Sequence, residues 1–337
     1  MCKMNRALKL RRQPPATLSD ASLMPKNNVS ELSEHPALSE VYRSENPTVD
    51  IVAVHGINGD AFKTFTTQDK KCFWLGDHGM LPSDITNSRV LTYSYPANVT
   101  TLFGPSCSDT IMHIAHTLVA ELVADREAND ATDRPILFLC HSLGGIIVKR
   151  ALIYSSSRTS HKLQHLHSIY ICTYGIIFLG TPHQGSDKAN LLKYGQRLVA
   201  ICVPSLVTDT TPKLLEALQE GSETLQEITD GFAPIMQRFR IFFFWEQLKT
   251  HMGVTYDYVV SHESAAPILP DTERAGLQSN HQDICKFASR NSRGYKLIIA
   301  ALRRYAREAP EAISSRWIQE RELMGARRRY EADELLR

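Results

Sequence analysis

Pro135-Ile136-Leu137-Phe138-Leu139-Cys140-His141-Ser142-Leu143-Gly144-Gly145 is the stretch from which the rest of the chain can be read. Ile136 to Cys140 is a strand candidate with no polar face. Such a strand belongs in a sheet covered on both sides, which means parallel strands joined by crossover helices. The apolar run stops at His141-Ser142, and Gly144 to Tyr154 follows as a helix candidate. Strand, sharp turn carrying a serine, then helix is the context a nucleophile elbow requires. Strand and helix pass close together there, so the residues two positions either side of the serine must be small. Gly144 meets that need. Cys140 stands at the other position instead of glycine, a departure from the GxSxG form.

Working outward, Asp50 to Val54 reads as a short strand ending in His55-Gly56-Ile57-Asn58-Gly59. Acyl transfer needs two backbone N–H groups aimed at a developing oxyanion. The residue after the nucleophile, Leu143, is the candidate for one, and Ile57 for the other. His55, Gly56, His141 and His183 are candidates to line a substrate site, His183 from Gly180-Thr181-Pro182-His183. Arg89 to Tyr93 is a further strand and Asp109 to Arg126 a helix, with Ile111, Ile114, Ala115, Leu118, Leu122 and Val123 at helical spacing. Ile169 to Leu179 is expected as a buried strand, Arg240 to Trp245 as the next and Thr255 to Val260 as the last. A helix from Asp283 to about Arg307 closes the pattern. Strand and helix alternate throughout, which predicts one α/β domain with a mostly parallel sheet flanked by helices. The expected boundaries are a tail over 1–45, the domain over 46–308 and a charged helix or tail over 309–337. Within the domain, 186–237 is a helical insertion that suits either a lid or a packed pair of crossover helices.

A serine nucleophile needs a base, and the base an orienting acid, in the chain order serine, acid, histidine. Of thirteen histidines, His281 stands in a polar loop after the final strand and before the closing helix. His251 and His262 are the alternatives and read as surface residues. Glu246 directly follows the penultimate strand, where the acid loop belongs, and Glu263 competes after the last strand. The implied chemistry is attack by Ser142 on an ester carbonyl, with His281 as base and Glu246 as orienting acid. The same triad would serve an acyltransferase or thioesterase, and the fold would serve a non-catalytic binding module.

Composition narrows the classes. A formal net charge of +2 gives no electrostatic case for nucleic acid. Seven cysteines show no CxxC spacing, which suits a reducing compartment without a disulfide framework. His161, His165 and His167 lie close in sequence, with no acid or cysteine to complete a metal set, so no metal and no cofactor is expected. No apolar run reaches the roughly 18 residues of a membrane helix, and peripheral contact is the membrane role expected. Lys3, Arg6, Lys9, Arg11 and Arg12 precede the first acid, Asp20. That suits a basic tail on a cytoplasmic protein or a mitochondrial presequence.

Together these segments resemble a known group. They are His55-Gly56 with Gly59-Asp60, Tyr93-Ser94-Tyr95-Pro96, His141-Ser142-Leu143-Gly144-Gly145, Phe178 to Ser186, Trp245-Glu246, Glu263-Ser264-Ala265, and His281 with Ile284-Cys285-Lys286-Phe287. The set is similar to the serine esterases and lipases related to the mitochondrial serine-active-site-containing protein, and to the lipase-like N-terminal domains of fungal NACHT receptors. The resemblance covers about residues 48 to 305. It implies an α/β-hydrolase fold, a catalytic Ser142, His281 and Glu246, and an ester or lipid-ester substrate of lipid metabolism.

Overall fold

Strand β4, Ile136–His141, lies at the middle of a seven-stranded sheet in this computed structural model. The structure describes residues 37–97, 107–183, 188–202, 212–253 and 255–335. The tail expected over 1–45 lies largely outside the described residues, and Pro36–Arg337 form one compact unit. Around β4 run β1 (Leu38–Arg43), β2 (Val49–Val54), β3 (Ser88–Tyr93), β5 (Thr173–Leu179), β6 (Arg240–Glu246) and β9 (Thr272–Leu277). Their order across the sheet is β1-β3-β2-β4-β5-β6-β9. Only β1 is antiparallel to its neighbour; the other pairings are parallel.

Every residue of β2, β3, β4 and β5 is buried. Successive side chains point to opposite faces, so both faces of the sheet are covered. The covering helices are α1 (Cys107–Ala128), α2 (Leu143–Ser156), α3 (Gln164–Cys172), α4 (Lys188–Cys202), α5 (Pro212–Met236) and α6 (Arg293–Leu335). Helices α1, α2, α3 and α5 pack against one another, while α6 runs against β2, β4 and β5. The insertion over 186–237 contributes α4 and α5. Helix α5 packs on α2 as a crossover helix would, and α4 lies against α5 and the short strand Thr250–Met252.

Four expectations are corrected. The segment from Ile169 is helical as far as Cys172, and the strand begins only at Thr173. A short apolar run satisfies either period, and here the buried side of α3 supplies the apolar residues. The segment Thr255 to Val260 is not a strand of the main sheet. Thr255–Asp257 (β8) pairs with Thr250–Met252 (β7) in a separate two-stranded hairpin. The last sheet strand is β9, whose Thr-Glu-Arg-Ala-Gly-Leu sequence is half-buried at the sheet edge and lacks an apolar signature. The closing helix starts at Arg293 rather than Asp283 and runs on without a break across position 308, through Pro310, to Leu335. Finally, β1 lies inside the stretch expected to be tail.

Candidate functional site

The site is assembled where β2, β4, β5 and β6 end. After β4 the backbone turns at Ser142 with φ +52° and ψ −123°, and α2 begins at Leu143. A side chain at positive φ is strained unless its surroundings hold it. Here the Ser142 N–H donates to the Leu179 carbonyl (2.9 Å) and its own carbonyl accepts from Thr181 Oγ1 (2.9 Å). Gly144 has no room for a Cβ, which would lie 2.4 Å from the His55 carbonyl oxygen. The loop after β2 therefore rests directly on the elbow. Gly56 is equally constrained, since its Cβ would lie 2.8 Å from Ser142 Cβ. Cys140, at the other small-residue position, is fully buried.

The structure brings Ser142, His281 and Glu246 into one chain of hydrogen bonds. His281 Nε2 lies 2.9 Å from Ser142 Oγ, and His281 Nδ1 lies 2.6 Å from Glu246 Oε2. All three side chains are nearly excluded from solvent. The other carboxylate oxygen of Glu246 accepts from the backbone N–H groups of Val259 and Val260, the latter at 3.3 Å. The bend expected as a strand therefore holds the Glu246 carboxylate. His281 is set by its own N–H, which donates to Thr250 Oγ1 at 3.0 Å. Glu263 is exposed on the helical turn His262–Ala265 and takes no part; His251 and His262 are exposed as well.

Leu143 is the first residue of α2, where N–H groups have no partner inside the helix and the helix dipole is positive. Ile57 lines the same cleft, of about 630 Å³, with Ser142, His141 and His281. The cleft wall adds Lys63, Thr64, Leu198, Ile201 and Lys286. That volume falls within the usual range of small-molecule sites.

Of the expected lining residues, His141 reaches the cleft and the others do not. His141 donates Nε2–H to the His281 carbonyl oxygen at 2.9 Å, tying β4 to the loop that carries His281. Burial pushes its pKa down to about 3. His55 lies beneath the cleft wall. Its ring stacks on Tyr95 at 4.3 Å, donates to the Gly56 carbonyl at 2.8 Å, and accepts from the Tyr95 N–H at 3.3 Å. Burial lowers its pKa to about 4, so it stays neutral and shapes the loop. Gly56 is packed against the elbow rather than open to the cleft. His183 faces the core between Phe178 and Phe243, with ring centroids 4.5 and 4.4 Å away.

One site residue has no signal in the sequence. Tyr194 of α4 places its hydroxyl 3.1 Å from Ser142 Oγ. No motif surrounds it, and only the fold shows that α4 lies over the elbow. Among the described residues no group of three or more His, Cys, Asp or Glu side chains could hold a metal ion, and no helix is long and apolar enough to cross a membrane.

Residues 45–208 match the family described as "Putative serine esterase (DUF676)". That stretch of the chain is similar to this serine esterase family. Bovine Protein SERAC1 is 28% identical over 262 residues, and human Protein SERAC1 is 27% identical over 268. Each match covers 73% of this chain and 37% of the relative, so the chain spans little more than a third of those proteins' length. The crystal structure of Bacillus licheniformis lipase BlEst2 in mature form has a TM-score of 0.50 at 18% identity. It covers 79% of this chain and 97% of its own. The fold is the α/β-hydrolase fold.

Proposed function

We propose that this domain cleaves a carboxylic ester by acyl transfer through Ser142. The observation that carries this is the unbroken chain Ser142 Oγ–His281–Glu246, at 2.9 and 2.6 Å, on a left-handed serine at a helix N-terminus. Glu246 holds His281 with Nδ1 protonated, which leaves Nε2 free to accept the serine proton. Ser142 Oγ attacks the carbonyl carbon, and the oxyanion is received by the Leu143 and Ile57 N–H groups. His281 gives its proton to the departing alcohol. It then takes one from water, which attacks the acyl-enzyme. A single oxyanion donor contributes about 10²–10³ in rate where this has been tested in serine hydrolases.

Apolar Ile57, Leu198 and Ile201 on the cleft wall favour an acyl group with hydrocarbon character, and Lys63 and Lys286 supply polar contacts at the same cleft. The test is hydrolysis of p-nitrophenyl esters of increasing acyl length by the folded chain beside Ser142→Ala. Turnover that depends on Ser142 and varies with chain length is expected. Turnover retained in Ser142→Ala would remove the assignment.

A further inference from the structure

The roof of the cleft carries a hydroxyl for which the triad has no use. Tyr194, Leu198 and Ile201 recur at i, i+4 and i+7 along α4 and so share one face. Leu198 and Ile201 line the cleft, and Tyr194 is buried with its hydroxyl 3.1 Å from Ser142 Oγ. The direction of that bond follows from His281. Its Nδ1–H is committed to Glu246, so Nε2 is an acceptor and takes the serine hydroxyl proton. Ser142 Oγ then has only lone pairs to offer, and the Tyr194 O–H donates to it.

A phenol that donates to the nucleophile's oxygen acts differently in the two halves of acyl transfer. In acylation it draws on the electron density with which Oγ attacks. In deacylation water bonds to the acyl carbon while its proton passes to His281. The tetrahedral intermediate then collapses, the bond from acyl carbon to Oγ breaks with its electron pair returning to Oγ, and His281 returns the proton there. A donor already on Oγ stabilises the charge gathered as that bond breaks. The geometry points to Tyr194 as a catalytic hydrogen-bond donor to Ser142 Oγ that speeds departure of the serine in deacylation. This rests on the ester-hydrolase reading of the site.

The experiment compares Tyr194→Phe with the parent chain in two assays. One is the labelling rate of Ser142 by a fluorophosphonate, a single attack with no deacylation. The other is the pre-steady-state hydrolysis of p-nitrophenyl butyrate. Labelling is expected to stay within about threefold of the parent, while kcat falls about tenfold or more. The burst of p-nitrophenol should rise towards one equivalent per Ser142 as acyl-enzyme accumulates. Circular dichroism sets a temperature at which the variant is folded, and both assays are run there. Leu198→Ala alters the same roof without touching the hydroxyl, and should change KM while leaving the burst alone. Unchanged kcat and burst in Tyr194→Phe would reduce Tyr194 to packing, and faster turnover would make it a brake; either overturns the proposal. A folded parent chain that takes no label would remove the triad reading itself, and this inference with it.

Discussion

The two ends of the central parallel strands hold buried polar groups in opposite ways. Where β2, β3 and β4 begin, Asp50 is fully buried and meets three arginines. Its carboxylate accepts from Arg89 at 2.9 and 3.1 Å, from Arg126 at 2.6 Å and from Arg134 at 3.0 Å. Arg89 also pairs with Asp125 at 2.7 Å. Charge is opposed by charge. Where the strands finish, His55 and His141 are kept uncharged by burial, with pKa values down at about 4 and about 3. His141 Nδ1 has no hydrogen-bond partner among the described residues, and Ser142 sits in a left-handed conformation. The first end is built to hold the sheet together. The second keeps neutral groups and a strained turn around the Ser142 hydroxyl, at the carboxyl ends of the strands, where open α/β sheets place their ligand sites.

The comparison breaks if the two ends respond alike to mutation. The largest expected effect is on chemistry. Glu246→Gln should lower kcat by about 10³–10⁴, because the amide no longer holds His281 in the required tautomer. Its melting temperature should move far less than that of an Asp50 variant. Glu263→Gln, an exposed change, should leave both turnover and stability within about 0.5 kcal/mol of the parent. Ester hydrolysis and thermal melts of the pair settle this, and equal losses from both would put the acid in the wrong place.

Next is Asp50→Ala, which leaves three buried or half-buried arginines without their shared carboxylate. Breaking a buried ion pair from one side costs about 3–5 kcal/mol. Urea titration should show that loss, while kcat per folded molecule stays near the parent value. A stable Asp50→Ala with impaired turnover would reverse the roles assigned to the two ends.

The smallest effect sharpens the contrast through pH. In the unfolded chain His55 and His141 titrate near 6.5, but in the fold only near 4 and near 3. Between these values the unfolded state binds protons that the folded state refuses, so stability rises with pH across that window and falls on acidification. Each such histidine contributes about 1.4 kcal/mol per pH unit there. Urea midpoints measured at pH 7 and pH 5 should drop on acidification, and the drop should shrink in His55→Asn. Midpoints that do not move would mean that these rings are not held neutral.

Much of this organisation is legible in the amino-acid sequence. The apolar run before His141-Ser142 declares a doubly covered strand, and the glycine after Leu143 marks the elbow, because both features answer local steric demands. His281 and Glu246 are reachable through chain order, since Glu246 ends one sheet strand and His281 stands in the loop after the next. What stays hidden depends on tertiary context. The β9 strand is an edge strand of mixed polarity, so no period betrays it. Cys172 and Thr173 divide an apolar stretch between helix and strand, where composition is silent. His183 and His55 look like site residues by position, yet Phe178 and Tyr95 draw them into packed surroundings. Tyr194 has no sequence signal at all, because its role comes from how α4 lies across the elbow.

The most direct test of the central claim is fluorophosphonate labelling of the folded chain, read by intact mass and peptide mapping beside Ser142→Ala and Glu246→Gln. One adduct per chain, located on Ser142, absent in Ser142→Ala and much slower in Glu246→Gln, is the expected result. A folded chain that takes no adduct, or takes it elsewhere, would contradict an activated serine at the end of β4.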